Sequence, residues 1–168
     1  YSFAATTTTT ATTAPARPPT RPAPAPAPTF FSSTLSLADM QGKQAVVETT
    51  RGRFVIQLLP EVAPNHVGLF ITQVRDGALA GTVFHRVIRN GMIQGGDPIS
   101  KDPAKAAEYG SGGLNRLRAE PKTERATAGA VAAVTLAGQP DSAGSQFFVL
   151  AGDQPGIEGQ YTIFGRVV

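Results

Sequence analysis

Phe84-His85-Arg86-Val87-Ile88, then Arg89-Asn90-Gly91, then Met92-Ile93-Gln94-Gly95-Gly96-Asp97 is the stretch that decides the fold. Apolar and β-branched residues on either side of Asn-Gly read as two short strands joined by a hairpin. Taking Arg89-Asn90-Gly91 as a three-residue loop predicts that Gly91 occupies the left-handed position. Arg86 then lies opposite Gln94 and Ile88 opposite Met92, all on the face that carries Phe84. That face combines a guanidinium, an amide, a thioether and an aromatic ring. Spacing alone leaves two readings of Arg86 open: a solvated arginine on an edge strand, or a functional group.

Outward from this hairpin, the pattern is mainly β. Ala45–Thr50 and Arg53–Leu59 read as strands around a turn at Arg51-Gly52. A helix follows, with Pro64 in its first turn. Val67, Phe70, Ile71 and Val74 fall on one face, and Gly77 is the stop. Further strands are expected at Ala130–Leu136, Ser145–Val149 and Tyr161–Val168, with the first strand of the central hairpin starting at Val83. The longest loop runs from Asp97 to Arg118. Many short strands with one good helix predict a small antiparallel barrel with a helix at one end. In Gly144-Ser145-Gln146-Phe147-Phe148-Val149, alternation sends the two phenylalanines to opposite faces, one for the core and one free to line a pocket.

The chain has 168 residues, of which 41% are hydrophobic, enough for one packed domain. Seven of its 14 prolines lie in the first 28 residues, beside the threonine run Thr6–Thr10. Residues 1–43 read as a Thr/Pro/Ala-rich disordered tether with a lead-in, and residues 44–168 as the domain. Such a tether suits an extracytoplasmic protein of a bacterial envelope, or a secreted one. A start at Tyr1 reads as a processed product or a fragment. The net charge is +3, and part of it is Arg17 and Arg21 in the tether, so no clustered basic stripe points to nucleic acid. The longest apolar stretch, residues 128–138, is too short to span a bilayer. With no cysteine, thiolate zinc sites, disulfides and cysteine nucleophiles are excluded. Phosphate-binding glycine loops and a nucleophile elbow are missing, and Gly110, Gly112 and Gly113 read as loop. The only histidines are His66, placed in the helix's first turn in a capping or solvated role, and His85. No metal site is expected.

Taken together, F-H-R-V-I-x-x-x-M-I-Q-G-G-D followed by G-S-Q-F-F resembles the cyclophilin family of peptidyl-prolyl cis-trans isomerases. The likeness runs from about Gln44 to Val168, with further matches in Arg53–Pro64, Leu117–Glu120 and Tyr161–Gly165. It implies a cyclophilin-like antiparallel eight-stranded barrel capped by helices, whose final helix and strand are not in this sequence. It also implies acceleration of Xaa-Pro rotation in proline-containing peptides and unfolded proteins, with no cofactor. By this resemblance Arg86 and Gln94 are catalytic. Phe84, Met92, Phe148, Ile157 and Tyr161 form the substrate pocket, and Leu136, Ala137 and Gly138 pair with the extended peptide. Gly91, Gly156, Tyr161, Leu136 and Ala137 depart from the family's usual residues. They imply a shallower pocket, slower turnover and weak cyclosporin binding. A non-catalytic proline-peptide-binding module is the alternative that these departures keep open.

Overall fold

A computed structural model describes residues 29–168. Its first long-range unit is the hairpin β1 (Gln44–Thr49) and β2 (Gly52–Leu58), paired antiparallel from Gln44↔Gln57 to Thr49↔Gly52. Thr50 and Arg51 make the turn, one residue earlier than the sequence pattern places it. The Thr49 hydroxyl ties it by donating to Gly52 O (2.7 Å) and accepting from Arg51 N (3.1 Å).

Helix α2 (Pro64–Arg75) follows the short helix α1 (Leu37–Met40) in chain order. Gly77 ends it as expected. At φ 68° its N–H donates to Val74 O while Ala78 N donates to Gln73 O, and these two bonds satisfy carbonyls the helix leaves free. Val67, Phe70 and Ile71 are buried; Val74, in the last turn, is 49% exposed. Leu69 and His66 are buried as well, so the helix is enclosed on more sides than one apolar stripe predicts.

The remaining strands are β3 (Arg86–Ile88), β4 (Met92–Gly95), β5 (Ala130–Ala133), β6 (Phe147–Leu150) and β7 (Ile163–Val167). Among the described residues, seven antiparallel strands in the order β1-β2-β7-β5-β6-β4-β3 curl into a half-barrel with edges at β1 and β3. Its concave side holds the main core. Phe70 of α2 meets Phe147 edge-on at 5.7 Å and Phe164 at 5.5 Å, so the helix closes that side. The convex side carries a second, smaller cluster built on Ala132, Phe148, Leu150 and Ile163.

Packing begins upstream of Gln44. Residues 1–28, most of the expected tether, lie outside the described residues, but Phe31, Leu35 and Met40 pack against the main core. Ser33 N donates to Asn65 Oδ1 (2.9 Å), and Phe31 N donates to Arg116 O (2.8 Å). A Cβ on Gly68 would collide with the Ser33 side chain, so this glycine admits the lead-in against α2.

The N-terminus of α2 has no local side-chain cap, because Ala63 precedes it. Glu120, distant in sequence, supplies one. Its carboxylate accepts from Asn65 N (2.9 Å), His66 N (2.9 Å) and the His66 ring, here at its Nδ1. His66 is thus neither solvated nor its own cap. Burial pushes the Glu120 carboxyl up, but the bonds from the His66 ring and the two backbone N–H groups outweigh burial and hold it below the usual range. A depressed folded-state value stabilises above the ordinary carboxylate value, about 4.3, and that stability is lost as pH falls through the folded value. Thermal melts between pH 7 and pH 3 should show wild type losing more stability than Glu120→Gln, with the curves converging at the acid end.

Candidate active site

The ladder pairs that build the half-barrel also set one row of side chains across four strands. Arg86 pairs with Gln94, Gln94 with Phe148, and Phe148 with Ala132. Directly paired residues point to the same face, so all four lie on the convex side. One step along, Ile88 pairs with Met92 and Met92 with Leu150. The register expected from the sequence, Arg86 opposite Gln94 and Ile88 opposite Met92, is the one observed.

The loop between these strands differs from expectation. Asn90, not Gly91, takes the left-handed conformation, at φ 58°. Asparagine tolerates it because its short polar side chain carries little steric penalty there. A Cβ on Gly91 would come within 2.8 Å of Ile88 Cγ2, so a larger residue there requires the exposed Ile88 side chain to shift.

Arg86 is exposed on the edge strand, and its Nη1 donates to Gln94 Oε1 at 3.4 Å. Gln94 is buried, and its Nε2 donates to Gln146 Oε1 (3.0 Å). Gln146 is 1% exposed, and its amide nitrogen donates to Gly110 O (2.9 Å) and Gly112 O (2.7 Å). Asp97, fully buried, anchors the same loop by accepting from the N–H groups of Ile99, Gly110 and Gly112. The guanidinium therefore ends a chain of amide contacts rooted in a buried carboxylate. Gln94, so held, loses less entropy when it engages a ligand, while Arg86 stays exposed on one long bond. Neither Gln146 nor Asp97 figures among the expected site residues, although both lie inside the motifs. Their role depends on contacts with a loop far along the chain.

Beside this polar row lies a shallow depression with internal space of only about 10 Å³, lined in part by Phe148, Ala132, Ile157, Tyr161 and Ile163, with Glu124 and Glu158 also at its wall. Phe148 meets the Tyr161 ring edge-on at 5.1 Å, and Met92 packs against the same cluster. Ile157 arrives on the short 3₁₀ turn Pro155–Ile157. No neighbouring atom lies within 4 Å of where a Gly156 Cβ would stand, so the pocket rim is open there. Arg86, Gln94, Met92, Phe148, Ile157 and Tyr161 are thus gathered around one site.

Two expectations need correcting. Phe84 does not share the Arg86 face. The strand starts at Arg86, and the preceding segment turns Phe84 against the main core, edge-on to Phe147 at 6.2 Å. A Cβ on Gly95 would meet the Phe84 ring at 2.9 Å, so that glycine makes the seat for the ring. The strand expected to run to Leu136 stops at Ala133, and Leu136, Ala137 and Gly138, expected to pair with an extended peptide, lie in a turn beyond it. Gly138 takes φ 72°, Gln139 N donates to Leu136 O (3.0 Å), and Leu136 N donates to Ser142 Oγ (2.6 Å). Both backbone groups of Leu136 are already used. Strand β5 ends at Ala133, and Val134 N still donates to Gln146 O (3.1 Å). Among the described residues, the backbone groups of Thr135, Ala137 and Gly138 have no protein hydrogen-bond partner, and Thr135 is the half-buried one of the three.

Comparison with known proteins places this geometry. A family model described as "Cyclophilin type peptidyl-prolyl cis-trans isomerase/CLD" matches residues 45–168. "Peptidyl-prolyl cis-trans isomerase-like 1" of Gibberella zeae is 38% identical over 122 residues, covering 73% of this chain and 73% of its own length. "Peptidyl-prolyl cis-trans isomerase 9" of Schizosaccharomyces pombe is 36% identical over 126 residues, 74% of this chain, and the chain spans only 20% of that relative's length. Among solved structures, a Cryptosporidium parvum cyclophilin-type isomerase, crystallised in the presence of the dipeptide Ala-Pro, superposes with a TM-score of 0.67 at 25% identity. The match covers 75% of this chain and 78% of that one. With the domain matched almost throughout and the fold shared, the chain belongs to the cyclophilin-type peptidyl-prolyl cis-trans isomerase family.

Proposed function

We propose that this domain catalyses Xaa-Pro rotation on the convex face, with Arg86 as the catalytic donor and the Phe148 depression as the proline pocket. The observation that carries the reading is the Arg86–Gln94–Phe148 row, which sets a guanidinium beside an apolar cup.

Amide resonance sets a rotation barrier of about 18–20 kcal/mol. When the bond twists, resonance is lost and the prolyl nitrogen becomes pyramidal with a lone pair. A fixed cation aimed at that nitrogen favours the twisted state over either planar one, which is what lowers a barrier. No covalent bond forms and no proton moves. The proline ring sits on Phe148 between Met92 and Tyr161, Gln94 holds the preceding backbone, and the acyl side rotates. Thr135, Ala137 and Gly138, with open backbone groups on either side of Leu136, pair with the extended peptide. The bare rim at Gly156 removes a wall on which a large macrocycle would rest, so cyclosporin binding is weak.

The composition of residues 1–28 supports an extracytoplasmic setting, with exposed Xaa-Pro segments of unfolded proteins as clients.

An amide-resolved NMR titration of the full chain with a short Ala-Pro peptide tests the location. Shifts should concentrate at Met92, Gln94, Thr135, Phe148 and Tyr161. Shifts confined to the concave side would refute this placement.

A further inference from the structure

We propose that His85 is a positioning residue whose proton state sets the hold of the Tyr109–Gly112 loop on the catalytic row. The neutral ring fits against the loop; the protonated ring parts from it, and turnover slows in mild acid. The inference rests on the proposed function and adds a residue to which that reading gives no role.

Two unmatched atoms carry the argument. His85 stands one residue before β3, next to Arg86, and is half-buried as a whole. Both of its ring nitrogens are nevertheless shut off from solvent, and among the described residues neither has a hydrogen-bond partner. The ring meets Tyr109 edge-on at 6.3 Å. Tyr109 offers it no bond, because the phenol donates to Asp102 O (3.0 Å). The backbone of Gly110 lies against the same ring: a Cβ there would stand 3.6 Å from His85 Nε2.

Gly110 is also where the amide relay is anchored. Its carbonyl accepts from Gln146 Nε2 (2.9 Å), and its N–H donates to the Asp97 carboxylate. Gln146 in turn accepts from Gln94 (3.0 Å), and Gln94 accepts from Arg86 (3.4 Å). At φ 96°, Gly110 holds a conformation that other residues rarely adopt, so the loop has one specific shape to keep. His85 therefore touches the relay at both ends, through the peptide bond to Arg86 and through contact with Gly110.

A proton changes what this contact can bear. A neutral imidazole leaves one N–H and one lone pair unmatched, whereas the imidazolium places two N–H donors and a full charge where no acceptor waits. Burying an unpaired charge costs far more than burying a neutral polar group. The surrounding ionisable groups supply no partner. Arg86, on the histidine's own strand, is itself cationic. The segment packed against the ring carries Glu108 and, further back, Lys101, Asp102 and Lys105, all exposed. Asp97 lies beyond the Gly110 backbone, and its carboxylate is taken up by the N–H groups of Ile99, Gly110 and Gly112. Among the described residues no ion pair includes His85. Relief requires the ring and Gly110 to separate. Gln146 then loses its grip on the Gly110 and Gly112 carbonyls, and Gln94 loses the bond that orients its amide toward Arg86 and the substrate.

The test uses the full chain between pH 8 and pH 5, a range above the acid region in which Glu120 takes up its proton. Lowering the pH across it should reduce kcat/KM for an Ala-Pro peptide roughly three- to tenfold, within the loss of about 10²-fold that a 1 Å misplacement can bring. The amide spectrum should stay dispersed, and the amide signals of Gly110, Gly112 and Gln146 should follow the same titration curve as the His85 ring. His85→Phe keeps an aromatic ring against Tyr109 without a titrating group, and it should flatten the rate profile. A pH-independent wild-type rate would overturn the proposal. So would a decline that persists in His85→Phe, which would belong to another group such as His66. A His85 ring that titrates while Gly110, Gly112 and Gln146 stay unmoved would also overturn it, and that result is readable in wild type even where the variant fails to fold. Absence of catalysed exchange at pH 8 would overturn the isomerase reading and with it the effect on turnover, while the shared titration of ring and loop still decides the coupling.

Discussion

Arg86→Ala should lower kcat/KM for an Ala-Pro peptide by about 10²- to 10³-fold, the range found when one oriented donor to a transition state is removed. The fold should be unaffected, because Arg86 is exposed at an edge strand and its one side-chain bond, to Gln94, is long at 3.4 Å. Peptide binding should change far less than turnover, since the apolar cup of Phe148, Met92 and Tyr161 remains. Arg86→Lys should also be damaging. Lysine keeps the charge but loses the planar fork through which arginine can contact Gln94 and substrate at once. Steady-state exchange rates for the three proteins, beside their thermal melts, check this directly. A large melting shift in Arg86→Ala would show that the residue is structural.

Phe147→Ala should produce the largest stability loss of any single change in β6. The ring packs edge-on against both Phe70 and Phe84 inside the main core, and its removal leaves a cavity between helix and sheet. Truncations of this kind cost about 3–5 kcal/mol. For a domain of this size that lowers the melting temperature by roughly 10–15 °C. Phe148→Leu, one residue away, should keep most of the stability, because it retains apolar volume in the smaller convex cluster. It should instead raise KM, as the flat seat for the proline ring is lost. Opposite dominant effects at neighbouring positions would confirm that β6 serves the core with one face and the site with the other.

That division is legible in the amino-acid sequence, because strand alternation is a local geometric rule and Phe147-Phe148 leaves it no freedom. The same holds for the Arg86–Gln94 register, where a loop of fixed length sets which residues meet. What local pattern does not supply is decided by distant contacts. Phe84 obeys alternation on paper, but the strand stops short of it and the space above Gly95 draws its ring inward. Leu136–Gly138 look like a continuation of β5 until Ser142 and Gln139 take up the backbone of Leu136. Phe31, Leu35 and Met40 sit in a segment whose composition is dominated by the prolines preceding it, and only their packing in the folded chain, beside the seat that Gly68 makes for Ser33, shows that they are core. Glu120 capping α2 across 55 residues has no sequence signature at all. Gln146 is visible within its motif, but its link between Gln94 and the Gly110–Gly112 loop exists only in the folded chain.

The central claim is that the convex face binds an Xaa-Pro segment and that Arg86 drives its rotation. Measuring binding and exchange of one Ala-Pro peptide, by NMR, on wild type and Arg86→Ala tests both halves in a single experiment. The account predicts that both proteins bind, with similar shifts around Phe148, and that only wild type gives strong cis/trans exchange cross-peaks. Equal exchange in the two proteins, or binding without exchange in wild type, would contradict it.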